Sequence, residues 1–268
     1  MGSTPPLVRR RGVLKLAGRC RSDRIPLPAR IVQKANLEKS VKAVILLSGG
    51  LDSSTVLYQA KADGCTCYAM SFDYQQRHRR ELEAARAIAQ SAGVAEHQIV
   101  SFDLRQWGGS ALTDDNIELP CDRSLEEMGQ SIPITYVPAR NTIFLSFALA
   151  YAEATNASRV YIGVNAIDYS GYPDCRLDYI QAMQNVFRLG TKQGRESETT
   201  EIVTPLIELK KTEIIQLGNR LGVPWEKTWS CYAGGDRPCG VCDSCQLRLA
   251  AFAELGLTDP LPYLQQGS

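Results

Sequence analysis

The sequence predicts an α/β fold, a doubly wound and mostly parallel sheet with a small helical tail at its C-terminus. Three observations carry that prediction. Compact apolar runs alternate with stretches of helical spacing, which builds parallel strands covered on both faces. A glycine-rich loop joins the first apolar run to the first helix. The most unusual polar segments follow apolar runs, at the strand ends where such sheets hold ligands.

The elements follow in order. "VKAVILL" (41–47) is a β-branched run that stops at Gly49 and Gly50, a buried strand. "SSTVLYQAKADG" follows as a helix ending near Gly64, and "CTCYAMSFDY" is the second strand, with Cys65 and Cys67 inside it. "RRELEAARAIAQSAG" is helical as far as Gly93, and "HQIVSFDL" is the third strand. His97 is expected on the surface just ahead of it, without a role. "NTIFLSFALAYAEATNA" is a strongly apolar helix and "RVYIGVN" a further strand. "RLDYIQAMQNVFRLG" and "KKTEIIQLGNRLG" are later helices. Residues 105–135 mix Pro, Gly and acidic residues and are expected to form a flap or surface insertion. The chain divides into a basic leader (1–38), an α/β domain (39–205) and a C-terminal helical region (206–268).

A length of 268 residues suits one large domain, or one with a small appendage. No apolar stretch approaches the ~20 residues of a membrane span. The net charge of +1 hides an asymmetry: residues 1–40 hold ten Lys and Arg against two Asp and Glu, so the rest is net acidic. Direct nucleic-acid binding, which rests on clustered basic residues, is therefore not expected of the body. The leader lacks the continuous apolar core of a secretory signal. It faintly resembles an Arg-rich transit peptide, but a floppy extension is the simpler reading, with order from about Leu37. Nine cysteines without an export signal point to cytoplasmic thiols and one metal site rather than disulfides.

"SGGLDSS" (48–54) is an anion trap. Gly49 and Gly50 let backbone amides turn toward a ligand, and a helix N-terminus adds partial positive charge. Ser48, Ser53 and Ser54 add hydroxyls. Asp52 beside a phosphate makes sense with a cation such as Mg²⁺ between them. The lysine of the familiar Gly-Lys-Ser/Thr loop is missing, so the loop suits a departing pyrophosphate better than a transferred γ-phosphoryl group. A tight turn with Ser/Asp capping is the structural alternative. Cys231, Cys239, Cys242 and Cys245 are spaced C-x7-C-x2-C-x2-C, which suits a closed tetrahedral Zn²⁺ site; an iron–sulfur cluster is the other candidate. Such a site would staple the tail. Trp225 and Trp229 are expected to pack there.

The loop resembles that of the N-type ATP pyrophosphatases, the PP-loop group with an adenine nucleotide alpha hydrolase-like fold. "SGGLDSS", "FDYQQRH", "VPARNTIFLS", "GVNAIDYSGYPDCR", "TPLIELKKTEI" and "TWSCYAGGDRPCGVCDSC" together, in this order, resemble the 7-cyano-7-deazaguanine synthases from about residue 42 to 256. Gln75 and Ala139 depart from that pattern, standing where glycine is common. The resemblance implies an ATP-dependent carbon–nitrogen ligase of queuosine biosynthesis, acting on 7-carboxy-7-deazaguanine and ammonium. It also implies a homodimer. An amide-stopping relative or a tRNA thiolase is the alternative; a thiolase calls for reactive cysteines by the loop and a basic face.

Residue by residue, the resemblance makes Leu47 to Leu57 the ATP segment. Ser48, Gly49, Gly50, Asp52, Ser53 and Ser54 lie nearest phosphate, and Leu51, Thr55 and Val56 complete the segment. Lys211 would neutralise pyrophosphate, unless it sits on a solvated helix face. Arg140 would meet the α-phosphate or the substrate carboxylate, a structural ion pair being the other reading. Tyr169 and Tyr172 are available to stack on a flat base, flanked by Asp168, Asp174 and Arg176. Either Asp168 or Asp174 reads the base edge, or forms a turn. His78 would deprotonate ammonium or carry the proton lost on nitrile formation. Cys175 is a possible nucleophile that ammonia attack does not require.

Overall fold

The computed structural model describes residues 40–77, 79–124, 128, 131–166, 171–196 and 199–264. The leader lies outside them. The sheet has five strands: β1 (Lys42–Leu46), β2 (Thr66–Asp73), β3 (Glu96–Ser101), β4 (Arg159–Tyr161) and β5 (Glu201–Val203). Their order is β3-β2-β1-β4-β5, and each neighbouring pair is parallel. The order reverses between β1 and β4, so the crevice beyond the carboxyl ends of these two strands is the switch point where such sheets bind ligands.

Alternation along β1 shows why helices cover both faces. Ala43 and Ile45 point to one side and Val44 and Leu46 to the other. The first side packs on α1 (Leu51–Ala62), α2 (Arg80–Ala92), and, through Ile214, Ile215, Ala251 and Phe252, on two helices of the C-terminal region. The second packs on α3 (Arg140–Thr155) and α4 (Leu177–Gly190), through residues such as Leu145, Ala148, Met183 and Phe187. A short α5 (Lys192–Glu196) precedes β5, and the C-terminal helices are α6 (Lys211–Leu221) and α7 (Asp243–Glu254). No helix among the described residues is long and apolar enough to cross a membrane.

Three local expectations need correction. His97 lies inside β3 rather than ahead of it, half-buried, with Nε2 2.8 Å from the Ser71 hydroxyl. Burial, with Arg86 nearby, lowers its pKa. Cys65 precedes β2, and only Cys67 belongs to it. Trp225 fills the main core against Phe252, with ring centroids 6.1 Å apart, rather than the cysteine tail. It is accommodated by Gly218, where a Cβ would lie 2.3 Å from the indole.

Gln75 and Ala139, the two residues standing in for glycine, both have left-handed backbones, with φ of 60° and 55°. An L-residue there costs about 1–2 kcal/mol, and glycine gives back about 0.5–1 kcal/mol through its freer unfolded chain. Ala139→Gly, at an exposed position just before α3, is therefore expected to stabilise the protein by about 0.5–1 kcal/mol. A rise in the urea midpoint at unchanged slope checks this.

Candidate active site

The loop after β1 has its shape from close backbone packing. Gly49 has φ +84°, and a Cβ there would lie 2.4 Å from the Ala85 nitrogen and 2.6 Å from the Glu81 carbonyl oxygen, both on the α2 backbone. Gly163, beyond β4, admits the start of α1, with the Ser53 nitrogen 3.2 Å from a would-be Cβ. Ser48 and Ser53 hold each other, Oγ to Oγ at 3.0 Å, while Gly50 N–H donates to Ser48 Oγ at 3.3 Å. No side chain caps the N-terminus of α1, so its first amides keep their positive ends for a ligand. The Ser54 hydroxyl is buried without a hydrogen-bond partner among the described residues. Gly49→Ala puts a methyl group inside the α2 backbone; we expect a loss of several kcal/mol of stability or no folded protein, read by thermal unfolding.

The loop opens into a cavity of about 300 Å³. Asp52, in the first turn of α1, accepts from Lys211 Nζ through both carboxylate oxygens, at 3.0 and 2.9 Å. The pair ties the start of α1 to the start of α6, with side chains 29% and 17% exposed. Lys211 is thus an ion-pair partner at the cavity, not a residue on a solvated helix face.

Arg140 lines the cavity too, with the Tyr74 phenol close by. Burial works against its charge, but Tyr74, Tyr172 and Asp174 outweigh it and the net shift is upward. The Tyr74 phenol is pushed up to about 12 by burial, which the nearby guanidinium only partly offsets. Tyr172 also lines the cavity, its ring tilted against Tyr136 and its hydroxyl 2.8 Å from Thr135 Oγ1. Asp174 is 5% exposed and already engaged: Oδ2 accepts the Asn141 N–H at 3.0 Å, closing the first turn of α3. Arg176 is turned to solvent, 71% exposed and 3.8 Å from Asp178, outside the main cavity. Cys175 lines the cavity, but burial and then Asp174 push its thiol up to about 12, so it stays protonated and is a poor nucleophile. His78, Asp168 and Tyr169 lie outside the described residues.

The cysteine segment closes the cavity from the C-terminal side. The four Sγ atoms of Cys231, Cys239, Cys242 and Cys245 lie within 4.8 Å of one another. A tetrahedral ion with bonds of about 2.3 Å would set the sulfurs roughly 3.8 Å apart, so the group fits a metal ion. Backbone amides already point at the sulfurs, Cys239 N–H to Cys231 Sγ and Cys242 N–H to Cys239 Sγ, both at 3.3 Å. Trp229 packs against this cluster, as expected, and its backbone N–H donates to the Gly49 carbonyl at 2.9 Å. The tail is thereby bonded to the loop itself. Ser230, Tyr232 and Arg248 line the cavity as well. Ser230 and Tyr232 fall within "TWSCYAGGDRPCGVCDSC" but had no role assigned from the sequence, while Glu81 and Arg248 lie in no motif.

A doubly wound sheet with an uncapped glycine loop at its switch point, closed by a four-thiol knuckle, defines an α/β protein with an anion-binding loop. The chain belongs to the QueC family: the model of "Queuosine biosynthesis protein QueC" matches residues 42–256. Its relatives include the 7-cyano-7-deazaguanine synthase of Trichodesmium erythraeum (strain IMS101), 81% identical over 221 residues, 82% of this chain and 100% of that protein. The synthase of Nostoc sp. (strain PCC 7120 / SAG 25.82 / UTEX 2576) is 79% identical over 223 residues, 83% of this chain and 97% of its own length. That of Pseudomonas paraeruginosa (strain DSM 24068 / PA7) is 54% identical over 224 residues, 83% and 98% of the two chains.

Proposed function

We propose that this chain converts 7-carboxy-7-deazaguanine and ammonium to 7-cyano-7-deazaguanine at the expense of ATP, releasing AMP and pyrophosphate, as a step of queuosine biosynthesis. The observation that carries this is the loop: an anion cradle at the switch point beside a cavity, where Asp52 at the start of the helix holds Lys211. Such a cradle fits a leaving pyrophosphate. A carboxylate is a poor electrophile, and placing AMP on its oxygen supplies a leaving group. Ammonia attacks the acyl carbon, the bond to AMP breaks and an amide forms. A second AMP on the amide oxygen then leaves as an N–H proton is lost, which gives the nitrile. Both adenylations release pyrophosphate, and one loop serves both.

In this reading the segment Leu47–Leu57 holds ATP and Lys211 neutralises departing pyrophosphate. Asp52 positions Lys211 and would hold Mg²⁺, which screens phosphate charge. Arg140 receives the α-phosphate or the substrate carboxylate. Tyr172 packs against the flat base, joined by Tyr169, and Asp168 is the better candidate to read the base edge because Asp174 already closes a helix turn. Arg176 guards the rim. Cys231, Cys239, Cys242 and Cys245 would hold Zn²⁺, a structural ion. A cytoplasmic homodimer completes the reading. The test is AMP release from Mg-ATP that depends on both 7-carboxy-7-deazaguanine and ammonium. A folded, metal-loaded protein that releases no AMP under these conditions has another substrate.

A further inference from the structure

Resting on the function proposed above, we propose that Glu81 is the proton acceptor for the incoming nitrogen. Glu81 stands in the first turn of α2, whose backbone is fixed by its packing on Gly49, and its side chain lines the cavity. Asp52 and Glu81 are the two carboxylates among the described lining residues. Asp52 is held by Lys211 through both oxygens. The Glu81 side chain, half-buried, makes no hydrogen bond and no ion pair among the described residues, so its oxygens remain available to a ligand. A cationic or N–H-bearing ligand in the cavity would satisfy them.

The chemistry needs such a group twice. Ammonium is mostly protonated at neutral pH and cannot attack. Glu81 takes one of its protons, and the freed lone pair forms the C–N bond while AMP leaves with the C–O electrons. In the second half, the C–O bond to AMP breaks and the N–H electrons become the third C–N bond, with the proton going to Glu81. Between the halves Glu81 returns its proton to solvent. Burial pushes the Glu81 carboxyl up to about 7, within the useful range for a base at neutral pH. Arg140 from α3 opposes the rise, Cys231 from the knuckle adds to it, and Tyr74 beyond β2 faces the same carboxylate.

Glu81→Gln in the full-length, metal-loaded protein separates this role from a structural one. Carboxylate-dependent exchange of pyrophosphate into ATP, which needs adenylation but no nitrogen, should stay within about threefold of wild type. Ammonium-dependent amide and nitrile formation should fall about 10²–10⁴-fold, and its pH limb near neutrality should vanish. Hydroxylamine, largely unprotonated at neutral pH, needs no prior deprotonation, so hydroxamate formation should fall less than about tenfold. Equal losses with both nucleophiles, an equal loss of exchange, or unchanged ammonium turnover would overturn the proposal. A selective loss in His78→Ala with none in Glu81→Gln would also overturn it, moving the role to His78. Wild-type protein that shows no exchange refutes the underlying function instead, and the Glu81 role falls with it.

Discussion

Asp52→Ala should lower AMP release by about 10²–10³-fold while leaving the melting temperature within a few degrees of wild type. The two halves of this prediction have separate causes. The Asp52–Lys211 pair is partly open to solvent, and such pairs contribute about 0–1 kcal/mol, so the fold barely notices its loss. On the proposed function, catalysis depends on where the ammonium group of Lys211 stands. Both Asp52 oxygens hold it at 2.9–3.0 Å beside the loop, and removing them takes away two of the contacts that fix it there. A metal ion at the phosphates would lose a ligand too. Lys211→Met should give a comparable loss of AMP release. Full activity in both variants would reduce the loop to a capped turn and remove the basis for its catalytic role.

Cys242→Ser should release the metal and take nucleotide binding with it. Four-thiolate sites of this kind contribute on the order of 10–16 kcal/mol of apparent binding, as much as the whole stability of a typical domain. Cys242 is placed to matter most: it precedes α7, supplies one of the four sulfurs, and bridges to Cys121 through the backbone. On sequence grounds, loss of the site should loosen only the tail. The structure extends the damage, because Trp229 N–H bonds to Gly49 and Ser230, Tyr232 and Arg248 line the cavity. The expected results are loss of bound metal, protease cleavage between residues 230 and 264, and at least a tenfold weaker ATP affinity by calorimetry. A metal-free variant that binds ATP as wild type does would show that the knuckle and the loop are independent.

The fold was legible where the chain is chemically extreme. "VKAVILL" has no polar residue to expose on either face beyond Lys42, so it had to be a central strand, and Gly49 had to turn where α2 presses on the loop. The C-terminal four-thiol cluster was legible because four close cysteines have few other uses. β5 was not, since "EIV" is too short to show a period and owes its pairing to β4. Glu81 was hidden among the charges of "RRELEAARAIAQSAG", which on sequence alone look like one solvated helix face. Its role depends on α2 leaning against Gly49, a tertiary contact with no local signature. Asp174 was legible as a notable residue but not in its role, because the N–H it accepts belongs to Asn141, 33 positions away. Gln75 and Ala139 looked like mere departures from a pattern until their φ angles explained the preference for glycine.

The most direct test of the whole account is the ratio of AMP to base product. Metal-loaded protein would be incubated with Mg-ATP, ammonium and 7-carboxy-7-deazaguanine, and nucleotides and bases followed together by mass spectrometry. Two adenylations at one loop predict the nitrile as final product, the amide rising and falling before it, and two AMP for each nitrile. One AMP for each amide, with no nitrile at any time, would contradict it.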